Sequence, residues 1–161
     1  MKTLMLAISA AALSSSPAAN AAATDQDNSA AAEVTALANR VIAAENSGDI
    51  TTVQSVWAPG DHAIVDNFPP FSWRGADALT GWLTDYGKEA ARAGNTEAIS
   101  RIGPALYVRA DGARIYAVFP DTYTYRRNGA AVREDLLWTL VAVRSAQGLK
   151  MESVVFTGGP R

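Results

Sequence analysis

The chain has no cysteine and a single histidine, His62. Disulfide cross-links are therefore excluded, and so are zinc-type sites built from Cys or from several His. Neither sign of charge dominates, with 14 Lys and Arg against 16 Asp and Glu. A nucleic-acid partner needs a strongly basic surface, so none is expected. After the first 23 residues there is no apolar run long enough to span a bilayer, so no membrane span is expected. No cofactor is expected either.

What is present begins with a leader. Lys2 precedes an apolar run, Thr3 to Leu13, that is too short to cross a membrane. Small and polar residues follow, and Ala19-Asn20-Ala21 and Ala21-Ala22-Ala23 both fit a small-x-small cleavage site. Residues 1–23 read as a secretory signal, and the protein is expected to be periplasmic or secreted. Residues 24–29, TDQDNS, read as a short flexible lead. The remainder is long enough for one well-filled core.

Ala30 to Ser47 carries Val34, Leu37, Val41 and Ala44 at steps of three and four, the stripe of an amphipathic helix. Gly48 suits its end, and Asp49 suits the cap of a second helix bearing Ile50, Val53, Val56 and Trp57. Pro59-Gly60 closes that unit. Next, His62 to Trp82 reads HAIVDNFPPFSWRGADALTGW. Ala63-Ile64-Val65 is a short buried strand, which Pro69-Pro70 ends because proline donates no ladder hydrogen bond. A third helix opens at Gly75, buries Leu79, Trp82, Leu83, Tyr86 and Ala90, and stops at Gly94-Asn95.

From Thr96 the apolar period becomes alternating. Residues 96–109 are broken by Gly103-Pro104, and Asp111-Gly112 and Asn128-Gly129 are hairpin turns. They delimit strands 113–127 and 130–144, and a last strand runs from Leu149 to Thr157. Three helices followed by a four-strand antiparallel meander form an α+β plan. Strands of roughly 9 to 15 residues, against a usual 5 or 6, must coil. A bent sheet around helices leaves a conical cavity.

The stretches IVDNFPPFSWRGADALTGW (64–82), AVFPDTYTYRRNG (117–129) and LWTLVAVRSAQGLKMESVVFTG (137–158) carry a resemblance. Over residues 30–158 the chain resembles the nuclear transport factor 2-like superfamily, and in particular its exported SnoaL-like bacterial members. The resemblance implies a cone-shaped half-barrel, a curved antiparallel sheet wrapped around three N-terminal helices (the cystatin-like arrangement), with a deep apolar pocket. In enzymes of that fold, such as ketosteroid isomerase, pocket carboxylates act as bases. The isomerase's base position matches Asp66 or the adjacent Asn67; on Asn67 the role is lost, since an amide cannot take a proton. The dehydratase pattern requires two histidines, which this chain cannot supply.

Asp66 is thus the candidate catalytic residue, and the alternative is a carboxylate that only tethers the following turn. Asn67, Phe68, Phe71, Trp73, Tyr116, Tyr123 and Trp138 are candidates for ligand binding. Trp73 is placed on a rigid lid, whereas Trp57, Trp82 and Trp138 equally suit a core. If no bulge intervenes at Pro120, then Ile115, Ala117, Phe119, Asp121, Tyr123 and Tyr125 share one face. Glu134 either reaches the cavity mouth or pairs across the strands with Arg126. His62 is expected on the surface. Three functional readings stay open. One is an exported module binding a small apolar or aromatic molecule. A second is a lyase- or isomerase-type enzyme using Asp66 on an apolar carbonyl compound. The third is a homodimer formed through the sheet face.

Overall fold

The computed structural model describes residues 17–158, with side chains from Asn28 onward. Most of the expected signal, residues 1–16, lies outside the described residues, as does the tail 159–161. The elements in order are α1 (Pro17–Ser47), α2 (Ile50–Ser55), β1 (His62–Val65), β2 (Ser72–Gly75) and α3 (Ala78–Ala93). Then come β3 (Asn95–Ile102), β4 (Tyr107–Asp111), β5 (Arg114–Arg127), β6 (Ala130–Ser145) and β7 (Gly148–Gly158). Helix α1 starts earlier than Ala30 and takes in residues 24–29, so the expected flexible lead is helical. No described helix is long and apolar enough to cross a membrane.

The apolar stripe of α1 behaves as its spacing predicts: Val34, Leu37, Val41 and Ala44 are all buried. Gly48 takes a left-handed φ of 70°, which ends the helix at little steric cost. The Asp49 carboxylate then accepts from the Thr52 backbone N–H at 3.0 Å and caps α2. Helix α3 ends in the same way on Gly94, whose φ is 67°.

The sheet order is β2-β1-β7-β6-β5-β3, with β4 also paired to β5. Two features depart from the expected four-strand meander. First, β1 joins the sheet parallel to β7, and β2 folds back onto β1 with Ile64 opposite Trp73. Second, Gly103-Pro104 separates two strands that pair with successive halves of β5, β4 with 114–118 and β3 with 121–127. Pro120 fits this junction. Its carbonyl accepts from Gly103 N–H at 2.8 Å, so its own missing N–H faces the gap between β3 and β4. A side chain on Gly103 would come within 2.9 Å of the Pro120 ring.

No bulge forms in β5 against β6, where every residue from Arg114 to Arg127 has a partner in one continuous register. The inward row of β5 therefore stays in phase along its whole length. Ile115, Ala117 and Phe119 pack on Trp138, Leu140 and Ala142 of β6, on Met151 and Val154 of β7, and on the α1 stripe. These residues fill the narrow end of the bowed sheet.

At the other end, the edge strand β3 is tied to α1 by a side chain. Asn46 donates to the Ser100 carbonyl at 2.8 Å and accepts from the Ser100 N–H at 2.9 Å. Its carboxamide takes the place of a neighbouring strand for one residue of the edge. Replacing Asn46 with Ala orphans both backbone groups. It should cost about 1–3 kcal/mol in urea denaturation. A change below about 0.5 kcal/mol would mean that water substitutes for the amide there.

Candidate functional site

Beyond Phe119 the inward rows continue but α1 does not, because the helix ends at Ser47. Asp121, Tyr123 and Tyr125 of β5, Glu134 and Leu136 of β6, and Phe156 of β7 consequently face a cavity of about 680 Å³. Its other walls come from Glu45 and Asn46 at the end of α1, Val53 of α2, the turn residues Asp66 to Phe68, and Trp82, Leu83 and Tyr86 of α3.

Asp66 and Asn67 both line this cavity, since they sit in a turn where strand alternation no longer separates neighbours. Asp66 lines the cavity and also tethers its own turn. One carboxylate oxygen accepts from the Asn67 backbone N–H at 2.7 Å and tethers the turn; the other accepts from the Trp82 indole N–H at 2.8 Å. Burial raises the Asp66 pKa against the pull of these two bonds, and the Glu134 charge adds to the rise. Phe68 and Tyr123 also line the cavity.

Four expected wall residues lie elsewhere. Trp73 is buried in strand β2, against Phe68, and its indole donates to Asp85 at 3.1 Å. The segment expected to be a lid is instead a hairpin strand, because Phe71 adopts a left-handed φ of 70° and reverses the chain. Phe71 itself is 55% exposed outside the cavity. Tyr116 is 42% exposed because alternation in an unbulged β5 points it outward, where it meets Tyr107 edge-on. Trp138 is inward but lies deeper than the cavity, packed on Phe119 and Phe156.

One further expectation is corrected, for His62, and one open alternative is decided, for Glu134. His62 is half-buried against Trp57, its Nε2–H donating to the Ala58 carbonyl at 2.6 Å. Arg126 points outward and pairs with Glu97 at 2.9 Å. Glu134 points inward, where the Tyr125 hydroxyl donates to it at 2.7 Å and itself accepts from Arg127 at 2.6 Å.

Glu45 is the main addition that sequence reasoning missed. It follows Val41 by four residues and so continues the apolar stripe of α1 as a charge on the buried face, which is the signal that marks it. Burial pushes its pKa up to about 8, and the charges of Asp121 and Asp66 push in the same direction. Among the described residues no donor hydrogen-bonds to its carboxyl. Asp121, only 4% exposed, is also raised by burial, opposed by bonds from the Ser100 hydroxyl at 2.9 Å and the Arg101 N–H at 3.0 Å. Opposite them, the hydroxyls of Tyr86 and Tyr123 lie 2.6 Å apart. One must donate to the other, which leaves one O–H free to hold an acceptor on a ligand. Burial raises both phenols, so both stay protonated at neutral pH.

The Glu45 shift carries a stability cost of definite sign. Folded Glu45 keeps its proton to about pH 8, whereas the unfolded residue loses it near 4.5. Between these values the folded state binds more protons. Its contribution is fully present below pH 4.5 and is lost as pH rises through about 8. At about 1.4 kcal/mol per unit, the loss amounts to a few kcal/mol, and the raised Asp66 and Asp121 add to it in the same direction. Glu45→Gln should flatten the melting temperature between pH 5 and 8.5 and leave the variant several degrees more stable at the alkaline end. Parallel pH profiles for the two proteins would show that Glu45 ionises normally.

The sequence matches no protein-family model and no curated protein. Solved structures do match. A nuclear transport factor 2-like superfamily protein from Salmonella enterica superposes with a TM-score of 0.69 at 16% identity, covering 83% of this chain and 94% of that one. A protein with a cystatin-like fold from Novosphingobium aromaticivorans gives 0.65 at 16% identity, covering 87% and 88%. A ketosteroid isomerase-like protein from Erwinia carotovora gives 0.61 at 15% identity, covering 81% and 97%. Such low identities speak for architecture alone. With the bowed sheet, the N-terminal helices and the hollow wide end described above, they give the chain the nuclear transport factor 2-like, cystatin-like fold.

Proposed function

We propose that the protein is an exported binding module that holds a small, largely apolar organic molecule in the cavity at the wide end of the sheet. One observation carries this reading. The inward rows of β5, β6 and β7 pass without interruption from a close-packed core into the walls of a cavity of about 680 Å³. That volume lies in the usual range of small-molecule sites, and apolar walls with a few convergent polar groups are their usual character. Export is compatible with the fold. Cleavage after Ala21 or Ala23 removes no described core residue, the first of which is Ala30.

A second reading, proton transfer on a carbonyl compound, is favoured by the raised acids Asp66 and Glu45 facing the free phenol of the Tyr86–Tyr123 pair. In it, Asp66 takes the proton and the phenol holds the developing oxyanion. This goes further than the family resemblance, in which the isomerase's base position matches Asp66 or Asn67 and which supplies neither Glu45 nor the phenol pair.

The cavity can be tested by filling it. Ala90 lines it from α3, and Ala90→Trp should weaken the binding of the neutral dye Nile red at least tenfold in a fluorescence titration. Equal affinity in the two proteins would remove the cavity as the site. The enzymatic reading is decided by Asp66→Asn with any carbonyl compound found to turn over. A base demands a loss of about 100-fold or more, whereas a binding module shows no turnover to lose.

A further inference from the structure

We infer that the ligand of this cavity is an organic cation, a protonated or quaternary ammonium compound with an apolar body, its charged end lying among Glu45, Asp66 and Asp121. The inference rests on the binding reading above and names the class of ligand for the same site.

Three observations converge on it. The first is charge. Glu45, Asp66, Glu89, Asp121 and Glu134 all line the cavity, and the one basic side chain among the lining residues is Arg127. Arg127 lies toward the exposed end of β5 and is already engaged, donating to Asn95 at 3.2 Å and to the Tyr125 hydroxyl, with its guanidinium 5.2 Å from the Tyr125 ring. Glu89 is paired with Arg92, but among the described residues Glu45, Asp66, Asp121 and Glu134 form no ion pair, so an anionic ligand meets acids without a counter-charge and a neutral one leaves them so.

The second observation is Glu45 itself. It is half-buried in the cavity wall, and among the described residues no donor hydrogen-bonds to its carboxyl. A carboxyl partly withdrawn from water without a partner is costly, and a cationic ligand supplies the partner. Asp66 and Asp121, in contrast, have donors of their own yet keep room to accept from a ligand, since a carboxylate has about four acceptor sites.

The third observation is the wall. Trp82 stacks between Tyr86 and Phe156, with centroids 5.7 Å away on each side, and Phe68 lies 6.2 Å from Tyr86. These rings give the apolar body of the ligand an aromatic wall beside the acids. A bare metal ion is a poorer fit, because among the described residues no three His, Asp or Glu side chains converge closely enough to hold one.

The chemistry has a signature of its own. In the empty cavity at pH 7, Glu45 is protonated, held so by burial and by Asp121 and Asp66. Glu134 also faces this space from β6, Tyr86 and Tyr123 face it from α3 and β5, and Arg127 is the cation near its mouth. An ammonium group arriving beside Glu45 favours the carboxylate, so the O–H bond breaks and the proton passes to the buffer. Cation binding is therefore coupled to proton release, and neutral binding is not.

The test compares three probes of similar size on the wild-type protein by isothermal titration calorimetry at pH 7. They are benzyltrimethylammonium, its uncharged isostere neopentylbenzene, and the anion phenylacetate. The cation should bind at least tenfold tighter than either, and titrations in buffers of different ionisation enthalpy should show close to one proton released per molecule bound. In Glu45→Gln, and to a smaller degree in Glu134→Gln, the ratio of cation to neutral affinity should fall several-fold. If neopentylbenzene or phenylacetate binds as tightly as the cation, or cation binding releases no proton, the cation assignment is wrong while the cavity still binds. If none of the three binds and Nile red does not bind either, the binding reading itself fails and this inference with it.

Discussion

The unbroken register between β5 and β6, from Arg114–Val143 at one end to Arg127–Ala130 at the other, is the constraint on which the rest of the structure depends. A single slip would move every second side chain to the other face. With the register intact, Ile115, Ala117 and Phe119 meet the helices while Asp121, Tyr123 and Tyr125 follow on the same face beyond them. The pairing thus fixes at once which residues make the core and which make the cavity. Pro120 sits in the middle of this strand without disturbing the pairing with β6, because its missing donor is turned toward the gap between β3 and β4.

The cavity is hollow for a geometrical reason. Helix α1 covers the sheet only as far as Ser47, and the strands outrun it. Asn46 holds the end of the helix to the edge strand at Ser100, which fixes where the helix stops relative to the strands. Glu45, one residue earlier, is left with its carboxyl directed into the opening. The same turn of helix therefore both braces the cavity and places its least satisfied acid. Keeping acids there costs stability as pH rises from about 4.5 to about 8 for Glu45, and the raised Asp66 and Asp121 act in the same direction. Sites that work with charge commonly carry such a cost.

Much of the fold was legible because it is local. The α1 stripe, the Gly48 and Asp49 boundary, the Gly94 stop and the Asp111-Gly112 and Asn128-Gly129 turns depend on residues a few positions apart, and each appears where its spacing places it. The inward row from Ile115 to Tyr125 was legible too, subject only to whether Pro120 introduced a bulge. The hairpin of β1 with β2 was not. Pro69-Pro70 and three aromatics read as a stiff exit from the sheet, whereas the chain reverses at Phe71 and buries Trp73 as a strand residue.

The candidate site divides along the same line. The sequence by itself determined an α+β domain with long coiled strands and an acid, Asp66, at the end of the first short one, because periodicity and turn chemistry are written in neighbouring residues. Only the tertiary structure decided that Asp66 shares a cavity with Glu45, Asp121 and Glu134, that Trp73, Tyr116 and Trp138 stand apart from it, and that Tyr86 meets Tyr123. Those facts depend on where α1 ends relative to strands far along the chain. A carboxyl's surroundings, and with them its charge, are set by through-space neighbours that no local pattern records.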